Sequence, residues 1–148
     1  MTLENGFYPT LPPALVLDTN VVLDWLVFAD PGVAHIVSAI ENGTVRWLAC
    51  ASMRDELQRT LGYRMLQKWK PNCEYSLSQF DLHTVMQSTP PTLPSLRCSD
   101  PDDQVFLDLA ATSGATWLIT HDRALLRLAR RASALRVQIV RPQHWQAP

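Results

Sequence analysis

At 148 residues, 47% hydrophobic and 18% charged, the chain is the length of one domain and far from the composition of disordered segments. A net charge of −1 argues against a uniformly basic nucleic-acid binder while leaving room for a local patch. Cys50, Cys73 and Cys98 share no metal or disulfide spacing, no stretch reaches the length of a membrane span, and the start lacks the basic and apolar regions of a secretory signal. A cytoplasmic protein with reduced thiols and no membrane partner is the expectation.

Residues 1–13 are Pro-rich and read as an arm leading into a single domain over 14–148. "ALVL" at 14–17 is short and wholly apolar, as a strand buried on both faces is. Residues 31–43 place Val33, Ile36, Val37 and Ile40 at helical spacing before Gly43. "VRWLACA" at 45–51 reads as a second strand, and Ser52 as the cap of a helix running to about Gly62. A weaker helix is expected over 74–88, then a loop, because Pro90, Pro91 and Pro94 forbid a regular helix. Asp100 and Pro101 suit a helix start, and Gly114 its stop. "TWLIT" at 116–120 is a strand, 123–132 an Arg-rich helix and "RVQIV" at 136–140 a last strand. This alternation implies an α/β fold, a mostly parallel sheet with helices on both faces.

In open parallel sheets, functional groups gather at the carboxyl ends of the strands. Asp18 follows the first strand and Asp122 follows "WLIT"; Glu56 lies on the helix after the second strand, and Asp103 in the first turn of the helix from Pro101. Four carboxylates from distant parts of the chain can therefore meet at one end of the sheet. Their neighbours Asp55 and Asp102 also carry carboxylates. Glu56 is preferred because it shares a helix face with Met53 and Thr60, and Asp103 because Asp102 would point outward. Crowded carboxylates repel one another, and a hard divalent cation with oxygen ligands, Mg²⁺ or Mn²⁺, relieves the repulsion. Such ions can polarise a phosphate, generate hydroxide and stabilise the leaving oxygen.

"LVLDTNVVLDWL", "SMRDELQRTL", "DPDDQVFLDLA" and "WLITHDRALL", in this order, resemble the PIN domain, and more narrowly the VapC-like toxins of bacterial toxin–antitoxin modules. The resemblance runs from about Leu15 to Pro142. It implies a three-layer α/β/α sandwich and a metal-dependent endoribonuclease that leaves a 3′-hydroxyl and a 5′-phosphate. It also implies a cognate antitoxin, and a homodimer is compatible with it. The family's four acids fall on Asp18, Glu56, Asp103 and Asp122, which are the expected catalytic residues and metal ligands. Thr120 belongs to the context of the fourth, and Asp100 matches an additional acid of this subgroup.

Each acid also has a bland role: Asp100, Asp102 and Asp103 suit a helix N-terminus, and Asp122 can cap the last helix. Asp18 is the hardest to explain that way, because a carboxylate ending an apolar strand needs partners. Asn20 and Thr120 are either turn residues or groups that orient Asp18 and Asp122. Asp24 reads as a helix-face residue and His121 as an exposed histidine. Arg123, Arg127 and Arg131 are a solvated face or a contact for RNA phosphates or an acidic partner. An aspartyl-phosphate phosphatase would need a second Asp where Asn20 stands and a late Lys, and none follows Lys70. The alternative from another class is a PIN-fold protein- or RNA-binding module without catalysis, against which the complete set of four acids argues.

Overall fold

The computed structural model of the chain describes residues 10–148; residues 1–9 of the expected arm lie outside the described residues. Five strands form one sheet: β1 (Ala14–Leu17), β2 (Arg46–Cys50), β3 (Thr84–Gln87), β4 (Trp117–Ile119) and β5 (Gln138–Val140), in the order β3-β2-β1-β4-β5. All four pairings are parallel. The β1–β4 register sets Leu15 against Trp117 and Leu17 against Ile119. The helices are α1 (Thr19–Leu26), α2 (Ala34–Glu41), α3 (Ala51–Leu61), α4 (Cys73–His83), α5 (Gln104–Thr112), α6 (Arg123–Leu126) and α7 (Ala129–Ser133). Right-handed crossovers put the helices that follow β1 and β2 on one face, and those leading to β4 and β5 on the other. The result is the three-layer α/β/α sandwich expected.

Burial explains the strands. Leu15 and Val16 are fully buried, as are Leu118 and Ile119, because helices cover both faces of a parallel sheet. Met53, Leu57 and Leu61 form the buried stripe of α3, and Asn72 caps α4 by accepting from the Tyr75 N–H. The chain starts α3 at Cys50 rather than at Ser52.

Three elements differ from expectation. Helix α1 follows β1 with no linker, so a strand and a helix share one apolar run. The helix expected over 74–88 stops at His83, and the rest is β3. As an edge strand paired only with β2, β3 leaves Val85 and Met86 largely exposed, so no apolar periodicity marks it. The Arg-rich helix breaks in two where the Leu128 N–H bonds back to the Leu125 carbonyl at 2.9 Å. The tighter turn lets Leu125, Leu128 and Ala132 all reach the core.

The proline-rich loop before Asp100 is held from below by α5. Asp108, buried on α5, accepts from the Leu93 N–H at 3.0 Å and from Gln104 Nε2 at 2.9 Å. Gln104 in turn donates to the Leu96 carbonyl and accepts from the Cys98 N–H. Asp108→Ala should therefore cost about 1–3 kcal/mol in urea denaturation, the penalty of stranding buried polar partners, and make the loop a preferred site of proteolytic cleavage.

Candidate active site

Asp18 stands where β1 ends, and its backbone opens α1 without its side chain capping the helix. The carboxylate turns instead toward β4: Thr120 Oγ1 donates to Asp18 Oδ2 at 2.6 Å, and the same hydroxyl accepts from the Asp122 N–H at 2.9 Å. One threonine thus fixes both acids. Asp18 is 3% exposed, and its carboxyl is held above the ordinary range chiefly by burial, with the charges of Asp122 and Glu56 adding to the Thr120-opposed shift.

Glu56 faces this end of the sheet from α3, and the Thr19 hydroxyl donates to its Oε2. Asp55 is exposed. Asp102 is likewise exposed, whereas Asp103 is 8% exposed, and of the two adjacent pairs it is Glu56 and Asp103 that line the cleft with Asp18. Asp100 caps the turn Pro101–Asp103 by accepting from the Asp102 N–H. Asp122 caps α6 by accepting from the Ala124 N–H at 2.7 Å. Both capping roles are real, and they coexist with a cluster. One carboxylate oxygen from each of Asp100, Asp103 and Asp122 lies within 4.8 Å of the others.

Asp103 is the most perturbed member. Burial first, then the charges of Asp18 and Asp122 and a hydrogen bond with the Asp122 carboxyl, hold its carboxyl up to about 8. Its Oδ2 is buried with no hydrogen-bond partner among the described residues. A stranded buried oxygen amid an all-oxygen set of Asp18, Glu56, Asp100, Asp103 and Asp122 is the donor chemistry a hard divalent cation takes. Asp18, Glu56 and Asp103 line one cleft with Asn20, Thr60 and Tyr63. Asn20 thus faces the cleft but makes no hydrogen bond to Asp18 among the described residues; Thr19 and Thr120 do the orienting.

Other residues were not legible as part of this neighbourhood. His121 Nε2 lies 2.8 Å from Asp24 Oδ2, so the histidine tethers α1 to the end of β4 rather than standing free. Burial raises the Asp24 carboxyl and His121 partly offsets it. Of the arginines, Arg123 and Arg127 are exposed, while Arg131 donates to the Ser95 carbonyl at 2.8 Å.

Comparison with known proteins bears on the family and the fold. The model of the PIN domain matches residues 14–124. The chain belongs to the PIN domain family. Its fold is also similar to a chain of the VapBC2 structure from Rickettsia felis, solved bound to a DNA fragment from their promoter, with TM-score 0.60 at 12% identity, covering 85% of this chain and 98% of that one. A second similar structure is PAE2754 from Pyrobaculum aerophilum, with TM-score 0.52 at 17% identity, covering 88% of this chain and 85% of that one. No curated protein matches the PIN chain by sequence. Among the described residues no single helix is long and apolar enough to cross a membrane.

The raised carboxyl of Asp103 contributes a definite sign to the pH response of the metal-free protein. Below the ordinary value of 3.8 it is protonated in folded and unfolded chain alike; between there and about 8 only the unfolded chain releases the proton. Stability in EDTA should therefore fall as pH rises through that window and level off above it. Asp103→Asn should flatten the fall, as read by thermal melts across that range, and a melting temperature that rises with pH would contradict the assignment.

Proposed function

We infer that this PIN domain is a metal-dependent endoribonuclease. The observation that carries the reading is the convergence of Asp18, Glu56, Asp100, Asp103 and Asp122 from separate stretches of chain, with the Asp103 Oδ2 buried and unpartnered. Asp18, Asp103 and Asp122 would hold Mg²⁺ or Mn²⁺, with Asp100 beside them. When bound, such a cation neutralises phosphate charge and lowers the pKa of water.

The chain's own groups do the rest. Thr120 keeps the carboxylate of Asp18 and the backbone of Asp122 in one register. Thr19 holds Glu56 on the cleft wall, where it can accept a proton from the attacking water. Hydrolysis would leave a 3′-hydroxyl and a 5′-phosphate. Exposed Arg123 and Arg127 are offered as phosphate contacts, with Arg131 secondary because it is engaged at Ser95.

The toxin half of a cytoplasmic toxin–antitoxin pair is the biological setting this reading favours. It is supported by the likeness to the VapBC2 structure and by an apolar hollow of about 330 Å³ between α1 and α2, lined by Trp25, Val33, Ala34 and Val37, in which a segment of an antitoxin could sit. A catalytically silent binding module is the second reading, and turnover separates the two.

Purified protein with Mn²⁺ or Mg²⁺ should cleave an RNA oligonucleotide, and EDTA should stop it. Asp18→Asn should lower the rate by about a hundredfold or more, since even indirect partners of a metal site cost 10–100-fold. Cleavage by wild type that persists in EDTA, or that Asp18→Asn leaves intact, would exclude the mechanism.

A further inference from the structure

Near-neutral total charge conceals a strong local asymmetry. Residues 57–73 carry Arg59, Arg64, Lys68 and Lys70 and no Asp or Glu. All four cations are exposed, and none is in a salt bridge among the described residues. The same stretch displays Tyr63 at 54% and Met65 at 85% exposure. Isolated exposed apolar side chains are ordinary. These two are not isolated: Tyr63 and Met65, with half-buried Leu66, line the cleft that contains Asp18, Glu56 and Asp103.

The segment is also held in place. Gln67 Nε2 donates to the carbonyls of Leu61 and Tyr63, at 3.2 and 3.0 Å, folding the turn Arg64–Trp69 against the end of α3. Trp69 anchors its far end, its ring 4.9 Å from that of Phe28 in an edge-on contact, with Lys68 Nζ over the indole. Tyr63 divides two hollows. One holds Asp18 and Asp103, the other Arg59 with Ser52, Pro101 and Asp102, and Glu56 borders both.

We propose that this segment is a cradle for an unpaired nucleotide of the RNA, Tyr63 taking a base on its ring beside Met65 while Arg59 meets the adjoining phosphate. The proposal rests on the ribonuclease reading and names the residues that would hold an unpaired base beside the acids. An aromatic face accepts any unstacked base, and the neighbouring cations match the backbone charge. A duplex keeps its bases stacked and cannot present one to Tyr63 without unstacking. A polyanionic strand laid across Tyr63 would run from Arg59 to the acids.

The test is binding of a fluorescently labelled single-stranded RNA oligonucleotide by anisotropy in EDTA, where no cleavage occurs. Tyr63→Ala should weaken binding about tenfold while Tyr63→Trp retains it, as stacking requires. Arg59→Gln should reduce the salt dependence by about one counterion. The same sequence as a duplex should bind more weakly and be indifferent to Tyr63→Ala. Tyr75→Ala, a comparably exposed tyrosine on α4, should behave as wild type. Melts with and without Mn²⁺ check that Tyr63→Ala folds and responds to metal normally. Single-strand binding by Tyr63→Ala equal to wild type, or no binding by wild type, overturns the cradle. Tyr63-dependent binding by a wild-type protein that fails to cleave with Mn²⁺ upholds the cradle and counts against the nuclease reading alone.

Discussion

The hydroxyl of Thr120 is the point on which this molecule turns. It donates a hydrogen bond to the buried carboxylate of Asp18 and accepts one from the backbone N–H of Asp122. A carboxylate with no such donor could not end a strand in this core, because desolvation without hydrogen bonding is too costly. The contact bridges the two strands at the place where the sheet's order reverses, β1 continuing to β2 and β3 on one side and β4 to β5 on the other. Open α/β sheets form their crevice there, and here the crevice is where the acids are.

Like charges brought this close carry an electrostatic cost that the rest of the fold has to support. The apolar strands beneath supply rigidity, and the helix starts around the crevice supply partial compensation. Asp100 and Asp122 are each stabilised by a backbone N–H at the beginning of a helical turn. The capping and clustering roles are therefore one arrangement: caps are how the fold tolerates acids it keeps together. Of the clustered acids, only Asp103 has a buried oxygen, Oδ2, without a hydrogen-bond partner among the described residues, which makes it the most sensitive reporter of whatever neutralises the site.

Most of this was readable in the chain because burial writes itself into sequence. Strands covered on both faces give short apolar runs, as at 14–17 and 116–120, and an acid that ends such a run stands out. Helix geometry favoured Glu56 over Asp55 and Asp103 over Asp102, and the first of each pair is the less exposed one. What escaped notice lacks that signature. Strand β3 buries little, so "TVMQ" looks like the tail of a helix. Asp108 sits in "VFLDLA" as if on an ordinary helix, and only a loop folded over it shows why it is buried. The pairing of His121 with Asp24 joins residues 97 apart in sequence, which no local pattern encodes. The break after α6 has no Gly or Pro to announce it.

The central pairing of β1 with β4 carries a consequence for the order of events in synthesis. Val16 lies against Leu118, so β1 can pair with β2 early but must wait for the segment around residue 118 before its other neighbour, β4, arrives. The closure entropy grows only slowly with the length of the intervening loop, but contacts between such distant segments form late. Until residue 122 has emerged, Asp18 has neither Thr120 to hold it nor Asp122 beside it. The geometry on which the proposed nuclease depends is thus assembled only once the segment around Asp122 has joined the sheet.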